Sequence, residues 1–335
     1  MQGLIAIAMA LGGVSLTTAF NLIIIWWLDR FEKEPIWLLL LVFVWGCVPS
    51  IILSLIFEIV MGIPVGMAVG YGYAGTLFNV AVVAPIVEES AKALALLIVF
   101  LVLRNEFDDI LDGIIYGAVV GLGFAFTEDL FYLFGLLSTG GIVGMGFVFI
   151  LRIFVFGLNH AFFASITGIG LGLARLTKWY FGIPLAFLGL LGAITLHGMH
   201  NLLVSLPGDM MFGGVVLAWL VHISAAVALI IMVIIVWIIE MKWMRKELLS
   251  EIDAGYVTQF EYDNVVKFFG RFLLQTKFLL YLDVAGYFRI TRMFNLLVKL
   301  AFRKKAYKRE QKKSQLQEIV NLRKRISDLR VKFAR

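Results

Sequence analysis

Long apolar segments separated by short polar loops make up most of this chain, and this pattern restricts it to a membrane. Apolar residues form 61% of the sequence and charged residues 16%, whereas about a quarter of a soluble globular protein is charged. A helix needs about 20 apolar residues to cross a bilayer. Seven segments reach that length: residues 3–28, 36–62, 73–103, 110–137, 142–176, 181–206 and 213–240. We therefore expect an all-α, polytopic membrane helix bundle, integral to the membrane, with the plasma membrane as its location.

The positive charges of the loops predict an orientation. The loops after the first, third and fifth segments contain Lys or Arg, whereas those after the second, fourth and sixth contain none. Because loops rich in Lys and Arg stay on the cytoplasmic side, we expect the N-terminus outside and the C-terminus in the cytoplasm, which requires an odd number of spans. No Lys or Arg precedes the first apolar run, so we interpret that run as a retained span and not as a cleaved signal peptide.

The chain changes character near residue 246, so we predict three regions. Residues 1–245 form the transmembrane part. Residues 246–302 mix apolar with basic residues, as amphipathic helices on an inner leaflet do, with a turn at Gly255. Residues 303–335 are a basic helical tail with a local charge of +10, which suits anionic lipid head groups or a cytoplasmic partner better than nucleic acid. Its apolar residues have the 3-4 spacing of a short coiled coil: Ile319, Leu322, Ile326, Leu329 and Phe333.

Three charged residues interrupt the third apolar segment. Glu88, Glu89 and Lys92 lie within about one helical turn, and the lysine can neutralise one of the two carboxylates but hardly both. Because a charge near the bilayer centre costs roughly 2.5–3.5 kcal/mol, such residues usually face a polar cavity. The remaining carboxylate then needs a proton, a metal ion or a substrate. The alternative interpretation is a structural ion pair.

Polar side chains also occur in the following four segments at membrane depth. Together with Lys92 and the two glutamates before it, they give four carboxylates against two basic groups, a net charge of −2 that a divalent cation would balance. Imidazole and carboxylate groups form a normal zinc shell, so we expect a cavity that opens outward, with zinc as a candidate cofactor. The alternatives are helix packing for single histidines, above all His222, and a solvated interfacial position for Glu128 and Asp129. The residues are Glu128, Asp129, Arg152, Asn159, His160, His197, His200, Asn201 and His222.

Two further features have structural interpretations. The glycine-rich strings GAVVGLGF and GIGLGLA favour close helix packing over phosphate binding. Cys47 is the only cysteine, which excludes an intrachain disulfide and a cysteine-based metal site.

Four motifs follow one another on four of the predicted spans, and the chain resembles the PrsW family of intramembrane proteases, within the wider clan that includes the CAAX-prenyl endopeptidases. The motifs are EESAK at 88–92, DGIIYGAVVGLGFAFTED at 112–129 with Phe124 and Glu128 as its FxxxE, RIFVFGLNHAFFASITGIGLG at 152–172, and HGMHN at 197–201. The loop DRFEKEP before the second span also looks familial. The resemblance covers roughly residues 3–245 and leaves the tail mostly outside. Asp129 departs from it, because the family usually has asparagine there; the extra carboxylate would either repel Glu128 or pair with Arg152.

The resemblance also implies roles for individual residues. Glu88 and Glu89 would lie at the centre of the site, one of them as general base on a water molecule. Metal-bound water and glutamate-activated water both remain open at this point. The catalytic residues would be Glu88, Glu89, Glu128 and Asn201, the metal ligands His160, His197 and Glu128, and the supporting residues Lys92, Arg152 and His200. His197 with Asn201 would bind the metal or stabilise the oxyanion.

The resemblance implies an endopeptidase that cleaves a membrane-anchored protein within the bilayer. By analogy, the substrate would be a membrane-tethered regulator such as an anti-sigma factor, cut in regulated proteolysis. Two other functions fit the same residues. Buried carboxylates and histidines also form proton relays in ion- or proton-coupled transporters, and a non-catalytic scaffold could use the basic tail to recruit a partner.

Overall fold

The computed structural model describes residues 7–31, 33–104, 106–139, 141–267 and 269–333. These residues are predominantly helical and include no β-strand, so the predicted all-α class is confirmed for them. The chain divides into two compact units. The first contains the described residues up to Asp29 together with Glu34–Val233, and the second contains Arg30–Lys33 together with the described residues from Ile234 onward.

The first unit is built from long helices, several of which include π-helical turns. The turn Met9–Gly13 leads into α1, Gly46–Ser50 joins α2 to α3, Asn79–Val83 joins α4 to α5, and Ile150–Val155 follows α7. The helices are α1 (Val14–Leu28), α2 (Ile36–Trp45), α3 (Ile51–Val69), α4 (Tyr73–Phe78), α5 (Ala84–Val102), α6 (Ile110–Thr139), α7 (Gly141–Phe149), α8 (Asn159–Leu176), α9 (Trp179–Val204) and α10 (Met210–Asp253), the last of which continues into the second unit.

Six helical stretches among the described residues are long and apolar enough to cross a membrane, which indicates an integral membrane protein. The helix that runs through α4 and α5 is not among them, because α5 carries three charged residues. Seven spans and the orientation of the termini therefore stay predictions. The six are Ala10–Leu28, Ile36–Val69, Ile110–Leu136, Val143–Leu176, Trp179–Val204 and Met210–Asp253.

Glycines allow α6 and α8 to approach to backbone contact. A Cβ atom at Gly117 would lie 2.5 Å from the carbonyl oxygen of Ala164, and one at Gly121 would collide with the carbonyl group of His160. The close packing predicted from the glycine-rich strings is thereby confirmed. Gly121 contacts the backbone of His160, and Glu128 lies seven residues, about two helical turns, further along α6. The same contact therefore fixes the position of α8 relative to α6 close to Glu128.

The second unit consists of the end of α10 and four further helices, α11 (Gln259–Val265), α12 (Gly270–Leu280), α13 (Val284–Glu310) and α14 (Lys313–Phe333). The turn predicted at Gly255 is present: this residue has a φ of 76°, and Thr258 and Glu261 then form a capping box at the start of α11. Helix α10 passes through the predicted boundary at residue 245 without interruption.

The tail is part of the packed second unit. Helix α14 packs along α13, and the residues of its 3-4 pattern are buried, namely Ile319, Leu322, Ile326 and Leu329; the side chain of Phe333 lies outside the described set. Part of the basic charge is neutralised by buried glutamates on α10 and α11. The pairs are Lys308 with Glu247, Lys304 and Arg323 with Glu251, and Arg330 with Glu261.

Candidate active site

Helices of the first unit place most of the predicted site residues in one buried group. Helix α5 contributes three charged side chains, and α6, α8, α9 and the π-helical turn after α7 supply the rest. Glu89 and Lys92 have no exposed area, and His197 is 2% exposed. Because polar groups removed from water are costly unless they are paired, the contacts within this group determine what each residue can do.

An interruption between α7 and α8 brings two side chains of one segment to the same carboxylate. The π-helical turn ends at Val155, residues 156–158 form a turn, and α8 begins at Asn159. Arg152 precedes this interruption and His160 follows it. Arg152 Nη2 lies 2.6 Å and His160 Nε2 lies 2.8 Å from Oε2 of Glu128. Glu128 is therefore held by two donors from the same segment.

Lys92 determines the protonation pattern of His160. Its Nζ lies 2.6 Å from Oε1 of Glu89 and 3.1 Å from Nδ1 of His160. An ammonium group can only donate, so Nδ1 of His160 accepts from Lys92. Nε2 of His160 then carries the hydrogen and donates it to Glu128.

The two adjacent glutamates of α5 have different surroundings. Oε1 of Glu89 accepts hydrogen bonds from Lys92 Nζ and, at 2.8 Å, from His197 Nδ1. Oε2 of Glu88 lies 3.9 Å from Lys92 Nζ and 3.9 Å from His197 Nε2, beyond hydrogen-bond distance. It is buried and has no hydrogen-bond partner in the part of the chain that the structure describes, as is also true of Oε2 of Glu89. Because His197 donates from Nδ1, its Nε2 keeps a lone pair near the open carboxylate of Glu88.

Asp129 pairs with Arg152, which is one of the two arrangements that the sequence allowed. Its Oδ1 lies 2.7 Å from Arg152 Nε, while the other end of the guanidinium contacts Glu128. The guanidinium also lies 4.0 Å from the centre of the Tyr132 ring, a cation–π distance. One arginine thus pairs with both carboxylates at the end of the FxxxE motif.

Three further predicted residues, two on α9 and one on α10, contact groups outside this cluster. His200 contacts the side-chain amide of Asn159, with its Nε2 3.0 Å from Nδ2. Asn201 donates to the backbone carbonyl of Val80 at 3.0 Å, so it ties α9 to the π-helical turn that precedes α5. The ring of His222 lies 6.0 Å from that of Phe162, and its structural role stays a prediction.

Two aromatic rings also line the site, although neither was among the predicted site residues. The ring of Phe163 stacks on His197 at a centroid distance of 5.0 Å and an angle of 15°. The ring of Phe124 lies 4.2 Å from Nζ of Lys92. Phe124 begins the FxxxE motif and Phe163 follows His160 by three residues, so helical spacing from the polar residues is the signal that would have indicated both.

Glu88, His160 and His197 could hold a metal ion, since each offers one ligand atom and these atoms lie within 4.8 Å of one another. Two imidazoles and one carboxylate form a known catalytic zinc set. The unpartnered oxygen of Glu88 and the free Nε2 of His197 fit such a group, whereas His160 would have to release a hydrogen bond to Lys92 or Glu128. The family resemblance implied Glu128 as the carboxylate ligand; here that side chain contacts Arg152 and His160.

A sequence model for the family described as "PrsW family intramembrane metalloprotease" matches residues 34–239. This range includes all of the residues in the buried cluster. This chain belongs to the PrsW family. The resemblance inferred from the four motifs is therefore confirmed.

Two curated relatives carry the name Protease PrsW. The one from Clostridioides difficile (strain 630) is 38% identical over 106 residues, which are 32% of this chain and 42% of that protein. The one from Oceanobacillus iheyensis (strain DSM 14371 / CIP 107618 / JCM 11309 / KCTC 3954 / HTE831) is 30% identical over 173 residues, which are 51% of this chain and 72% of that protein. The chain thus spans less than half the length of the first relative. No solved structure is significantly similar to this PrsW-family chain.

Proposed function

We propose that this PrsW-family protein is an intramembrane endopeptidase that hydrolyses a peptide bond of a membrane-anchored protein. The observation that carries the proposal is the contrast between the two glutamates of α5. Glu89 is held by Lys92 and His197, whereas Oε2 of Glu88 is buried, lacks a partner among the described residues and lies 3.9 Å from the free nitrogen of His197. A buried acceptor of this kind can bind the hydrogen of a water molecule.

In the proposed reaction Glu88 acts as the general base. Its carboxylate takes a proton from the bound water while the water oxygen forms a bond to the carbonyl carbon of the substrate. The negative charge that develops on the carbonyl oxygen is stabilised by the nearby ammonium of Lys92, because electrostatic interactions are strong in a site that excludes bulk water. When the tetrahedral intermediate collapses, the C–N bond breaks and Glu88 returns the proton to the leaving amine.

The family description implies a metal, and the donor chemistry of Glu88, His160 and His197 fits a zinc ion. When bound, such an ion lowers the pKa of a coordinated water to about 7. In that form Glu89 would hold the imidazole of His197 in its orientation through Nδ1, as carboxylates beside histidine ligands do. The assay is metal analysis of the purified protein: one equivalent of zinc in the wild type, lost in His197→Ala and retained in His222→Ala, supports a metal site, and no zinc supports water activated by glutamate alone.

The proposal also places the helix through α4 and α5 across the membrane as a seventh span. Its charged residues Glu88, Glu89 and Lys92 are buried within the unit, so they would not face lipid. Seven spans would put the two termini on opposite sides of the membrane, and the charges of the loops favour the N-terminus outside and the C-terminal unit in the cytoplasm. The plasma membrane is the proposed location, and a membrane-tethered regulator such as an anti-sigma factor is the proposed substrate, by analogy.

The decisive experiment compares new protein N-termini in cells that produce the wild type, Glu88→Gln or the control Asp209→Asn. Asp209 is an exposed acid in a turn, so its substitution removes a carboxylate that takes part in none of the site contacts described above. Termini that map to single-span proteins, vanish in Glu88→Gln and persist in the control would establish the protease and identify substrates. A fully active Glu88→Gln variant would refute the proposed base.

One observation favours a second function. The span Val143–Leu176 is interrupted at residues 156–158, directly beside the buried charges, and broken helices at ion-binding sites occur in transporters. Voltage- or pH-driven ion flux in proteoliposomes, lost in Glu88→Gln, would support that function. If the protein cleaves a substrate but carries no ion flux, only the endopeptidase function remains.

A further inference from the structure

The second unit has an open groove of about 470 Å³ that is lined mainly by α13, with Arg325 contributed by α14. A neighbouring cavity of about 160 Å³ shares Arg292 and Arg325 with it and also touches Lys332. Lys299 lines the larger cavity from the α13 side. The two cavities therefore form one continuous feature, here called the basic groove, which none of the chemistry of the first unit uses.

The basic groove has an unbalanced charge. Of the residues that the structure describes, four basic side chains and one acidic side chain, that of Asp328, line it. Arg292, Arg325 and Lys332 form no ion pair within the part of the chain that the structure describes, and Lys299 contacts Glu318 at 3.6 Å with both side chains well exposed. Like charges that face one another repel, and an anion between them removes that repulsion.

Other basic residues of the second unit, in contrast, are paired with buried carboxylates. Lys304, Lys308, Arg323 and Arg330 are each paired with a buried glutamate of the same unit. Among the described residues, Arg292, Arg325 and Lys332 have no such partner, and Lys299 contacts the well-exposed Glu318. An anionic ligand would supply the missing negative charge.

The groove also has an apolar side. Leu296 and Leu329 are buried beneath the cations, whereas the ring of Phe288 at the edge is 64% exposed. Exposed apolar residues continue into the turn between α12 and α13, where Leu280 is 78% and Leu282 is 86% exposed. A ligand that combines an anionic group with an apolar chain would cover both surfaces.

We propose that the basic groove binds the phosphate-bearing head group of an anionic phospholipid. Arg292 and Arg325 contact the phosphate, because guanidinium groups match phosphate oxygens in charge and geometry, and Lys299 and Lys332 add charge at either side. The acyl chain lies against Phe288. The proposal is independent of proteolysis, since no residue of the first unit takes part.

The test is native mass spectrometry of the full-length protein in detergent, titrated with phosphatidylglycerol or with phosphatidylcholine of the same chain length. Wild type should retain phosphatidylglycerol preferentially. The variant R292Q/R325Q should bind it at least about tenfold more weakly, since two charge-assisted contacts are lost. The matched control K313Q/K324Q removes the same charge from exposed positions that line neither cavity and should bind within about twofold of the wild type.

Three results would overturn the proposal. The first two are equal weakening of lipid binding in both double variants, which would show diffuse charge attraction, and no preference for the anionic lipid. The third is saturable binding of inorganic phosphate or pyrophosphate that displaces the lipid, which would indicate a soluble phosphate ligand. Arg292 and Arg325 are exposed, so their substitution should leave the thermal transition unchanged. If it does not, the variant R292K/R325K, which keeps the charge but not the guanidinium geometry, supplies the comparison and should bind with intermediate strength.

Discussion

His197 donates a hydrogen bond from Nδ1 to Oε1 of Glu89 over 2.8 Å, and this bond decides which nitrogen of the imidazole is free. The free nitrogen, Nε2, lies 3.9 Å from Glu88. Adjacent residues of one helix therefore have separate tasks: Glu89 orients the histidine and balances Lys92, and Glu88 remains available for a proton or a metal.

Glu89→Gln should reduce activity less than Glu88→Gln. The amide keeps the size of the side chain but loses the negative charge that holds Lys92 and His197, so we expect kcat to fall by about 10- to 100-fold with KM little changed. Glu88→Gln should abolish turnover. Steady-state kinetics will measure the activity of both variants on a substrate identified by the comparison of new protein N-termini. An active Glu88→Gln together with an inactive Glu89→Gln would reverse the two assignments.

Arg152→Gln should destabilise the first unit, because Glu128 and Asp129 then lose the cation that pairs with both of them. Removing one partner of a mostly buried ion pair costs about 3 kcal/mol, whereas Asp129→Asn leaves the Arg152–Glu128 contact of 2.6 Å in place and should cost less than about 1 kcal/mol. Unfolding in detergent measures both. The double variant should recover part of the loss; additivity of the two effects would contradict the shared arginine.

Gly121→Ala should impair both stability and activity. Its Cβ would collide with the carbonyl group of His160, so α6 and α8 must separate at a cost of about 1–3 kcal/mol. The shift would displace His160, and a displacement of about 1 Å can lower a rate by about 100-fold. Thermal unfolding and the cleavage assay together test this. Gly213→Ala is the matched control, because a Cβ there meets no atom within 4 Å; equal effects at both glycines would contradict the steric argument.

Glu34→Gln should flatten the pH dependence of stability. Burial raises the pKa of Glu34, in the loop between α1 and α2, to about 9 from its ordinary 4.5, although hydrogen bonds with Asp112 and Tyr116 oppose the shift. The folded protein then keeps the proton up to about pH 9 while the unfolded chain releases it above 4.5. Stability should therefore fall as pH rises through that window, by at most about 1.4 kcal/mol per pH unit from this group.

The measurement is the thermal transition of wild type and Glu34→Gln at several pH values from 5 to about 8.5. The variant should lose less stability with rising pH, because glutamine has no proton to release. Asp209→Asn, which removes an exposed carboxylate that is not among the causes of the Glu34 shift, serves as the matched control and should keep the slope of the wild type. Identical slopes in wild type and Glu34→Gln would show that another group controls the dependence.

Local patterns predicted much of the architecture. Apolar segment length indicated the membrane helices, and helical spacing correctly grouped Glu88, Glu89 and Lys92 on one helix. The glycine strings predicted close packing that Gly117 and Gly121 now show at the level of backbone contact. The turn at Gly255 was also predicted. Each of these depends on properties of neighbouring residues along the chain, such as apolar surface, side-chain volume and backbone freedom.

Other features could not be predicted because they depend on distances between helices. The sequence left Glu88 and Glu89 equivalent and left two arrangements open for Asp129, repulsion of Glu128 or pairing with Arg152. It did not indicate that Asn201 contacts the backbone of Val80 or that Arg152 holds Glu128. Nor did the basic tail show which of its cations face buried glutamates and which line a groove. Charge and residue type can be read from the sequence. Whether two groups form a hydrogen bond depends on their distance to within a few tenths of an ångström, and that distance is set by how the helices pack.

The sequence by itself therefore determined the membrane class of this PrsW-family protein, its helices and the set of residues from which a site could be built. Only the tertiary structure decided which of these residues pair with one another and which one stays available for a ligand. The physical reason is that burial makes every unpartnered polar atom costly, so the packing of α5 against α8 and α9 selects one pairing of donors and acceptors, and that pairing leaves a single glutamate oxygen beside the free nitrogen of His197.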